Sequence, residues 1–478
     1  MNIDNIKKIS NNKNIFYSLK NLINDHILKY KSKAYLEAFI LGNKSMIDND
    51  IISTYQENGI SHLLAISGMH VSILSLFILL IFKKYKYNSI IACLFLLFYM
   101  FLTGCSASVS RSVLFFILLT LNKLFKLNLS TIRIFLITLI LLVFSNPYFI
   151  YDVGFRYSFI ISFYLIMFKN KLNDNFYIKN LFMISLISFF SSLPVTLYYF
   201  YEVNFLSVVL NIFYVPFVSI IIFPLALITF FLPVFDNLFL FITNILEVLS
   251  NFTNGFNLFK FTFGKVDFIF IISYYLILTL FLYNSKKRYL YLLILFLFIQ
   301  YNHNLLLPKK YIVAIDVGQG DSILIHSNNK TLLLDTGGKF SYTKESWQKE
   351  SKSLTDKTLV PLLKSLKIRK LDYLIISHGD YDHMGEAINL VNNFKVEKVI
   401  FNCGEYNDLE KELIKVLDKK KIKYYSCIKE LNINNNKLYF LQTKEYDNEN
   451  DNSNVIYTEL DGYKFMFMGD ASSTTEKE

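Results

Sequence analysis

The hydrophobic pattern separates a long apolar region from a mixed tail. Residues 61–301 consist of about ten apolar runs, most of them close to the roughly 20 residues that a helix needs to cross the hydrocarbon core of a bilayer. The run at 205–232 is long and contains Pro216 and Pro224, so a broken or re-entrant helix is expected there. The pattern predicts a polytopic α-helical membrane bundle, preceded by a soluble, mostly helical segment over residues 1–60. The predicted spans are 61–82, 88–104, 108–125, 131–147, 155–168, 180–200, 205–232, 236–252, 267–283 and 289–301.

After residue 301 the pattern changes to short alternating apolar runs separated by Gly and Asn. Alternation with a period of two residues predicts β-strands. The segments 355–367 and 407–418 have a helical pattern instead, and strands interleaved with helices indicate an α/β domain over residues 302–478. The predicted strands are Tyr311–Ile315, Ser322–His326, Thr331–Leu334, Leu371–Ile376, Lys398–Phe401, Val455–Leu460 and Lys464–Met468.

The charge distribution predicts an orientation for these spans. The formal net charge is +11, and residues 61–301 carry 16 Lys/Arg against 6 Asp/Glu. One explanation for this excess of positive charge is that Lys and Arg in the loops set the orientation of the helices in the membrane. The alternative is that these residues form a basic path for a polyanion. Basic clusters follow the first, third, fifth and ninth runs, so those loops are predicted to be cytoplasmic. The N-terminal segment and the C-terminal domain are then predicted to be extracytoplasmic.

The tail carries a dense group of ionisable residues directly after a predicted strand. His378, Asp380, Asp382 and His383 lie within six positions, and Asp470 ends a later strand. Imidazole and carboxylate ligands together suit zinc, manganese or iron. Since alternate positions leaving a strand point the same way, His378 with Asp380 is predicted to bind one metal and Asp382 with His383 a second. Asp470 is predicted to bridge the two ions, an arrangement that activates water against a phosphodiester or acyl group.

Further features of the tail support this site. One glycine-containing turn, 316–321, begins with Asp316 and ends with Asp321, and a second turn contains Asp335; glycine allows the chain to reverse tightly at such points. Cys403 and Cys427 would pair if the tail is extracytoplasmic, and the sequence leaves their redox state open.

The first apolar run contains polar residues that a membrane span rarely carries. His62 and His70 are eight positions apart, so a helix would place them on roughly one face, with Ser67 nearby. Polar and titratable groups within a span usually face a cavity or a partner. A pore-lining role and a simple interhelical hydrogen bond remain alternatives.

Both regions resemble one known family. The pattern His-x-Asp-x-Asp-His at 378–383 is similar to the signature of the metallo-β-lactamase superfamily, which usually has His where Asp380 stands. Together with the turns at 316–321 and 335–338, it resembles the C-terminal domain of ComEC-type competence proteins. The segment 59–71 independently resembles the competence-domain signature of the same family.

More of the membrane region resembles this family. The segment from Thr103 to Arg111 resembles its Gly…Ser…Arg stretch, and residues 153–159 resemble its Gly-Phe-x-x-Ser-Phe element. Leu193-Pro194, Phe205–Ser207 and the segment from Asn211 to Pro216 resemble its Pro, Ser and Asn…Pro elements. The resemblance runs from about residue 34 to residue 470.

The resemblance implies a multi-pass plasma (inner) membrane channel that imports single-stranded DNA during natural transformation. It also implies an extracytoplasmic, metal-dependent DNA nuclease of αββα fold that holds two ions, manganese or zinc. Asp382 and Asp380 are then the catalytic candidates, and the implied channel residues are His62, Ser67, His70, Arg111 and Asn211. Membrane lipid, a DNA receptor, a cytoplasmic helicase and further copies of the chain are the implied partners.

The sequence also departs from the family pattern. Members usually continue beyond the Gly-Asp strand into a His-His-Gly-Ser element with a further metal ligand, whereas this chain ends eight residues after Asp470. The resemblance therefore implies a metallo-β-lactamase-like domain that is incomplete at its C-terminus, which leaves its nuclease activity open. Two alternatives stay open: a secondary transporter of small solutes with an accessory metallohydrolase, and a non-catalytic DNA- or metal-binding module.

Overall fold

The structure is a computed structural model of the 478-residue chain. It describes residues 15–172, 175–256, 259–306, 309–327, 330–338, 353–433, 436–442 and 445–477. The chain divides into two compact units, which are described separately. The first comprises the described residues of Met1–Val195, Val203–Phe261 and Tyr275–Lys286, and the second those of Thr196–Glu202, Thr262–Tyr274 and Lys287–Glu478.

Helices dominate the chain up to residue 306, which confirms the predicted helical region. Each of the ten predicted apolar runs contains a helix. The helices are α1 Ile15–Ile27, α2 Lys33–Ile40, α3 Asn49–Glu57, α4 Gly68–Ile81, α5 Asn88–Leu102, α6 Ala107–Leu124, α7 Thr131–Ser145, α8 Val153–Met167, α9 Tyr177–Phe200, α10 Ser207–Pro216, α11 Phe223–Phe231, α12 Asp236–Asn254, α13 Phe268–Asn284 and α14 Lys287–Leu306. Short strands β1, Glu202–Asn204, and β2, Lys260–Thr262, form a two-stranded sheet.

Five helical segments within the described residues are long and apolar enough to cross a membrane, judged by length and composition. They are Ser61–Ile81, Ala107–Leu124, Tyr177–Phe200, Ser207–Phe231 and Pro233–Asn254. Helices α5, α7, α8 and α13 are also apolar but shorter. The number of spans, about ten, stays a prediction.

The two prolines of the seventh run distort the helix without ending it. α10 and α11 are joined by a π-helical turn, Phe217–Ile222, so helical structure continues from Ser207 to Phe231. Pro216 closes α10, and Pro224 lies in the first turn of α11. A proline has no N–H to donate and its ring crowds the carbonyl four residues earlier, so the wider π-turn accommodates Pro224.

The first unit has one extended apolar core. Leu36 and Phe39 of α2 are buried in it beside Leu74 of α4, Leu96 of α5 and Phe223 of α11. The segment before residue 61 thus packs into the same core as the apolar helices, because α2 and α3 also present buried apolar side chains.

Two sheets form the tail. The six-stranded sheet has the order β3-β4-β5-β6-β7-β8, antiparallel from β3 to β5 and parallel from β5 to β8; the four-stranded antiparallel sheet has the order β12-β11-β10-β9. The strands are β3 Tyr311–Ala314, β4 Ile323–Ser327, β5 Lys330–Leu334, β6 Tyr373–Ile375, β7 Lys398–Phe401, β8 Lys423–Ser426, β9 Glu430–Ile433, β10 Asn436–Phe440, β11 Ile456–Leu460 and β12 Tyr463–Phe467. All seven predicted strands are present; β8, β9 and β10 were not predicted.

Alternating side chains of the larger sheet face two different cores. Leu334, Ile375 and Ile400 pack with residues of the smaller sheet. Leu333 and Leu374 face the opposite way and pack with the tail helices. These helices are α15 Val360–Ser365, α16 Tyr381–Met384, α17 Ala387–Asn393 and α18 Asp408–Lys420, with a π-helical turn, Thr355–Leu359, before α15. This helix–sheet–sheet layering follows from the period-two pattern of the strands and confirms the predicted sheet-rich tail domain.

Candidate metal centre

The metal-ligand candidates lie where the central parallel strand β6 ends. Apolar residues of β6 lead into Ser377 and His378, and α16 begins three residues later with Asp380 at its N-cap. The side chain of His378 is fully buried, and that of His383 is 1% exposed. Loops at the carboxyl ends of parallel strands are a common place for binding sites in open α/β sheets.

Three of the predicted ligands come together in space. The ligand atoms of His378, His383 and Asp470 all lie within 4.8 Å of one another. Nε2 of His383 is 3.2 Å from Oδ1 of Asp470, and the two imidazole ring centres are 4.2 Å apart. Nε2 of His378 is buried and has no hydrogen-bond partner among the described residues, although Oδ2 of Asp380 lies 3.6 Å away. An unpaired buried imidazole nitrogen facing carboxylates fits a divalent metal.

This grouping differs from the predicted pairing of His378 with Asp380 and of Asp382 with His383. The short helix α16 turns the chain back after Asp380, so His383 returns to the side of His378. Asp382 lies in the first turn of α16, outside the three-residue cluster. The assignment of two ions therefore stays a prediction.

A buried carboxylate beneath the cluster orients both imidazoles. Oδ1 of Asp335 accepts the backbone N–H of Ser377 at 2.7 Å, and Oδ2 accepts the Ser377 hydroxyl at 2.6 Å. Oδ2 also accepts Nδ1 of His383 at 3.0 Å. Ser377 Oγ lies 3.0 Å from Nδ1 of His378, and Ser453 Oγ lies 3.2 Å from the same nitrogen. Because these side chains contact Nδ1 of both imidazoles, Nε2 of each imidazole is left to face the cluster of His378, His383 and Asp470.

The surroundings shift the pKa values of the two imidazoles in opposite directions. Burial and the neighbouring His383 lower the pKa of His378, which favours the neutral ring that a metal binds. Burial alone would lower the pKa of His383 as well, but the hydrogen bond and charge of Asp335, with the charges of Asp470 and Asp382, raise it to about 9. Metal binding at His383 must therefore displace a proton.

The predicted turns pack closely around this site. Asp316 accepts the backbone N–H of Gly318 at 3.1 Å, as expected for a turn. Gly320 has φ of +77°, and a Cβ there would lie 1.7 Å from the carbonyl oxygen of Asp382, so only glycine fits. Asp321 lines a small cavity of about 30 Å³ together with Asp335, Ser377 and Asn454, which is room for about one water molecule.

Further residues at the site were not predicted from the sequence. Glu449 accepts the backbone N–H of Gly379 at 2.9 Å, and Asn407 donates its amide to the carbonyl of the same glycine at 2.7 Å. The loop between His378 and Asp380 is thus held from both sides. Asn407 carries a sequence signal only for capping α18, since Glu410 follows three residues later.

The channel candidates lie in the first unit. Residues Ser61–Leu63 form a single 3-10 turn and α4 begins at Gly68, so the continuous α-helix that the spacing argument assumed does not run from His62 to His70. His70 is fully buried; its Nδ1 accepts the backbone N–H of Ser67 at 3.0 Å, and its ring packs edge-on against Phe223. Arg111 is buried in α6, and Oδ1 of Asn211 in α10 is buried without a partner among the described residues.

The chain combines a helical region of membrane-spanning character with a metallo-β-lactamase-like domain. This combination defines a class of two-part membrane proteins. The family profile described as competence protein matches residues 39–288, and the metallo-beta-lactamase superfamily profile matches residues 315–478. The chain belongs to the competence protein family and is a membrane protein.

Relatives support this assignment. The chain is 28% identical over its whole length to "ComE operon protein 3" of Bacillus subtilis (strain 168) and covers 66% of that protein. Over 75% of its length it is 24% identical to "Recombination protein 2" of Haemophilus influenzae and covers 52% of that protein. A shorter stretch of 84 residues is 32% identical to "Competence protein ComA" of Neisseria gonorrhoeae and covers 10% of it. The chain thus spans between about half and two thirds of the first two relatives.

Proposed function

We propose that this protein takes part in DNA uptake during competence, as a membrane channel for single-stranded DNA joined to a metal-dependent nuclease. Support comes from the two family matches in one chain and from the relatives it resembles, one of which is named as a competence protein. The observation that carries the nuclease part is the cluster of His378, His383 and Asp470.

The residues present fit a divalent metal. Manganese or zinc would be held by His378, His383 and Asp470, with Asp380 close to His378. A metal bound there would lower the pKa of a water molecule and neutralise charge on a phosphodiester. Asp335 keeps Nδ1 of His383 occupied and so presents Nε2 to the site. Asp382 and Asp380 are the carboxylates proposed to complete the metal set and to accept the proton of the attacking water.

The tail is proposed to lie outside the cytoplasm. Basic clusters after the first, third, fifth and ninth runs support this orientation. Cys403 and Cys427 are paired, with Cα atoms 4.6 Å apart, and disulfides persist in oxidising compartments. A nuclease outside the cytoplasm would act on the strand that is not imported. A DNA receptor, a cytoplasmic helicase and a homo-oligomer are the partners proposed with this role.

The nuclease part is tested with the purified protein and a fluorescent single-stranded oligonucleotide in manganese or zinc. Asp382→Ala is expected to abolish metal-dependent cleavage. Asp418→Ala, which removes an exposed carboxylate from α18, is the matched control and should cleave like the parent. Unchanged cleavage by the Asp382 variant would remove Asp382 from the site.

The channel part is tested by uptake of labelled DNA into cells. Variants of His70, Arg111 or Asn211 are expected to lose uptake, whereas Asp382→Ala should change only the fate of the outer strand. Transport of a small solute that depends on His70 while DNA uptake does not would favour the transporter alternative.

A further inference from the structure

Arg111 is a buried positive charge with no carboxylate partner among the residues that the structure describes. It lies in α6 and is 9% exposed. Nε donates to the Ser158 hydroxyl at 2.6 Å, and one terminal nitrogen donates to the Ser112 hydroxyl at 3.1 Å. Hydroxyl oxygens satisfy hydrogen bonds but do not neutralise charge, and an uncompensated buried charge is costly.

The described contacts leave some N–H groups of the Arg111 guanidinium unused. It carries five N–H groups, of which the described contacts with Ser158 and Ser112 use two. Its central carbon lies 5.9 Å from the ring centre of Phe159, so one apolar wall flanks it. The remaining N–H groups form the planar fork that matches a phosphate or a carboxylate.

The positive end of α4 lies beside this arginine. A Cβ atom on Gly68, the first residue of α4, would be 3.0 Å from a terminal nitrogen of Arg111 and 2.9 Å from Oγ of Ser112. The first turn of a helix has N–H groups without carbonyl partners and the positive end of the helix dipole. Gly68 thus lets this positive end approach the guanidinium, which strengthens the local attraction for an anion.

The surroundings also offer hydroxyl groups, some of them partly at the surface. Ser108 Oγ is 3.4 Å from Ser158 Oγ, and Ser112 donates to the carbonyl of Ser108 at 2.9 Å. Ser108, Ser158 and Gly68 are half-buried, so they are the part of the surroundings of the arginine that lies at the surface. Serine hydroxyls, a guanidinium and a helix N-terminus form a donor set that suits a phosphate oxyanion.

We propose that Arg111, with Ser108, Ser158 and the first turn of α4, binds one phosphodiester group of single-stranded nucleic acid. This inference rests on the proposed function, because the same chemistry would also hold the phosphate of a lipid headgroup. A phosphodiester carries one negative charge, which balances the single charge of Arg111. Contacts confined to the phosphate would make the site independent of base sequence.

The test measures binding of labelled oligo-dT by the purified full chain in a phosphate-free maltoside detergent. Arg111→Gln is expected to weaken binding about tenfold, the effect of one charge-assisted hydrogen bond. The slope of log affinity against log salt should fall by about 0.7, as for the loss of one neutralised phosphate on a single strand. Arg111→Lys should keep the slope and lose part of the affinity, because the charge remains without the planar fork.

Arg133→Gln is the matched control, since it removes an exposed arginine from α7 and should leave affinity and slope at the parent values. Gly68→Ala is a second variant, which keeps every charge and should weaken binding by displacing the guanidinium. Equal affinity and slope for the Arg111→Gln and Arg133→Gln variants would overturn the inference.

Two further results separate this inference from the proposed function. If the parent protein binds the oligonucleotide and Arg111→Gln changes neither binding nor uptake of labelled DNA, the phosphate site is wrong, whereas loss of uptake in the His70 and Asn211 variants would still support the channel. If the parent binds no oligonucleotide, but phosphatidylglycerol raises its melting temperature and Arg111→Gln removes that shift, the site holds a lipid phosphate. That second result would overturn the nucleic-acid occupant and the proposed function together.

Discussion

Oδ2 of Asp335 lies 3.0 Å from Nδ1 of His383 and holds that imidazole in the orientation that a metal requires. Asp335 is 3% exposed and also accepts two hydrogen bonds from Ser377, so its position is fixed by three donors. A ligating histidine commonly donates its other ring nitrogen to such a carboxylate, which sets the tautomer and increases the basicity of the ligating nitrogen. The pair thus joins the turn after β5 to the end of α16.

Asp335→Asn should weaken zinc or manganese binding about 10- to 100-fold, the usual effect of losing such a partner. The amide keeps the shape but has no negative charge, so the Nδ1–H tautomer of His383 is less favoured. Isothermal titration calorimetry of the purified protein measures the change. Asp372→Asn is the control, because Asp372 is equally buried but lies at the opposite end of β6, bound to Lys330 and Thr331. Equal metal affinity in the two variants would contradict the role of Asp335.

Gly379→Ala should lower metal affinity by displacing the loop between His378 and Asp380. A Cβ atom there would lie 2.1 Å from the amide nitrogen of Asn407 and 2.9 Å from a carboxylate oxygen of Glu449. Both groups hold the backbone of Gly379, so either they or the loop must move. The change is read in the same titration, with circular dichroism to confirm folding.

The control for this prediction is Gly462→Ala in the turn between β11 and β12. A Cβ at Gly462 meets nothing within 4 Å, and its φ of +84° adds only backbone strain of about 1 kcal/mol. That variant should be slightly less stable but bind metal like the parent. Tight metal binding by the Gly379 variant would show that the loop is free to move without cost.

The sequence predicted most of the elements whose hydrophobic pattern is regular, although β9 and β10, whose apolar residues also alternate, were missed. β8 was not predicted because all four of its residues are exposed and it has no apolar alternation. It is nevertheless a strand, because β7 supplies the parallel hydrogen-bonding partner. The apolar run at 61–82 was predicted as one span, but the chain forms a separate 3-10 turn, Ser61–Leu63, before Ser67, the N-cap of α4.

The residues of the candidate site also fall into those that the sequence predicted and those that it missed. His378, His383 and Asp470 were predicted because their residue types and strand-end positions carry a local signal. The contacts of Ser453 with His378 and of Glu449 with Gly379 join residues 75 and 70 positions apart. Only the fold brings such residues together, and serine and glutamate are common elsewhere for other reasons, so no local pattern identifies them.

The disulfide between Cys403 and Cys427 should be detectable as protected thiols. Of the four cysteines, Cys93 and Cys105 are free and the other two are paired. Maleimide labelling of the denatured protein from cells should therefore modify two cysteines without reductant and four after reduction, as counted by mass spectrometry. Four modified cysteines without reductant would count against the bond and against an extracytoplasmic tail.

Loss of that disulfide should destabilise the tail. The bond closes a chain segment of 24 residues, and a loop of that length constrains the unfolded state by about 3 kcal/mol. The double variant Cys403→Ser, Cys427→Ser should unfold at lower temperature than the parent, and the parent under reducing conditions should approach the variant. The double variant Cys93→Ser, Cys105→Ser is the control, whose unfolding should respond to reductant as the parent does.

Glu410 should make the stability of the tail depend on pH near neutrality. Its side chain is fully buried in α18, and burial raises its pKa to about 7, although the backbone N–H of Asn407 favours the charged form. A carboxyl whose pKa is higher in the folded than in the unfolded chain favours folding below its unfolded pKa of about 4.5. This stabilisation is lost as the pH rises from 4.5 to 7. Above pH 7 the carboxylate is charged in both states, and its burial destabilises the folded chain by the full amount.

Glu410→Gln should therefore raise the melting temperature at pH 8 and change it little at pH 5. The amide oxygen can still accept the N–H of Asn407 at the helix start, where Oε2 of Glu410 now lies 2.8 Å from that nitrogen. We expect a gain of about 1–3 kcal/mol at pH 8, measured by thermal unfolding followed by circular dichroism. Glu412→Gln changes an exposed carboxyl on the same helix and should give equal shifts at both pH values. An equal gain from Glu410→Gln at pH 5 and pH 8 would mean that burial of the charge is not its cause.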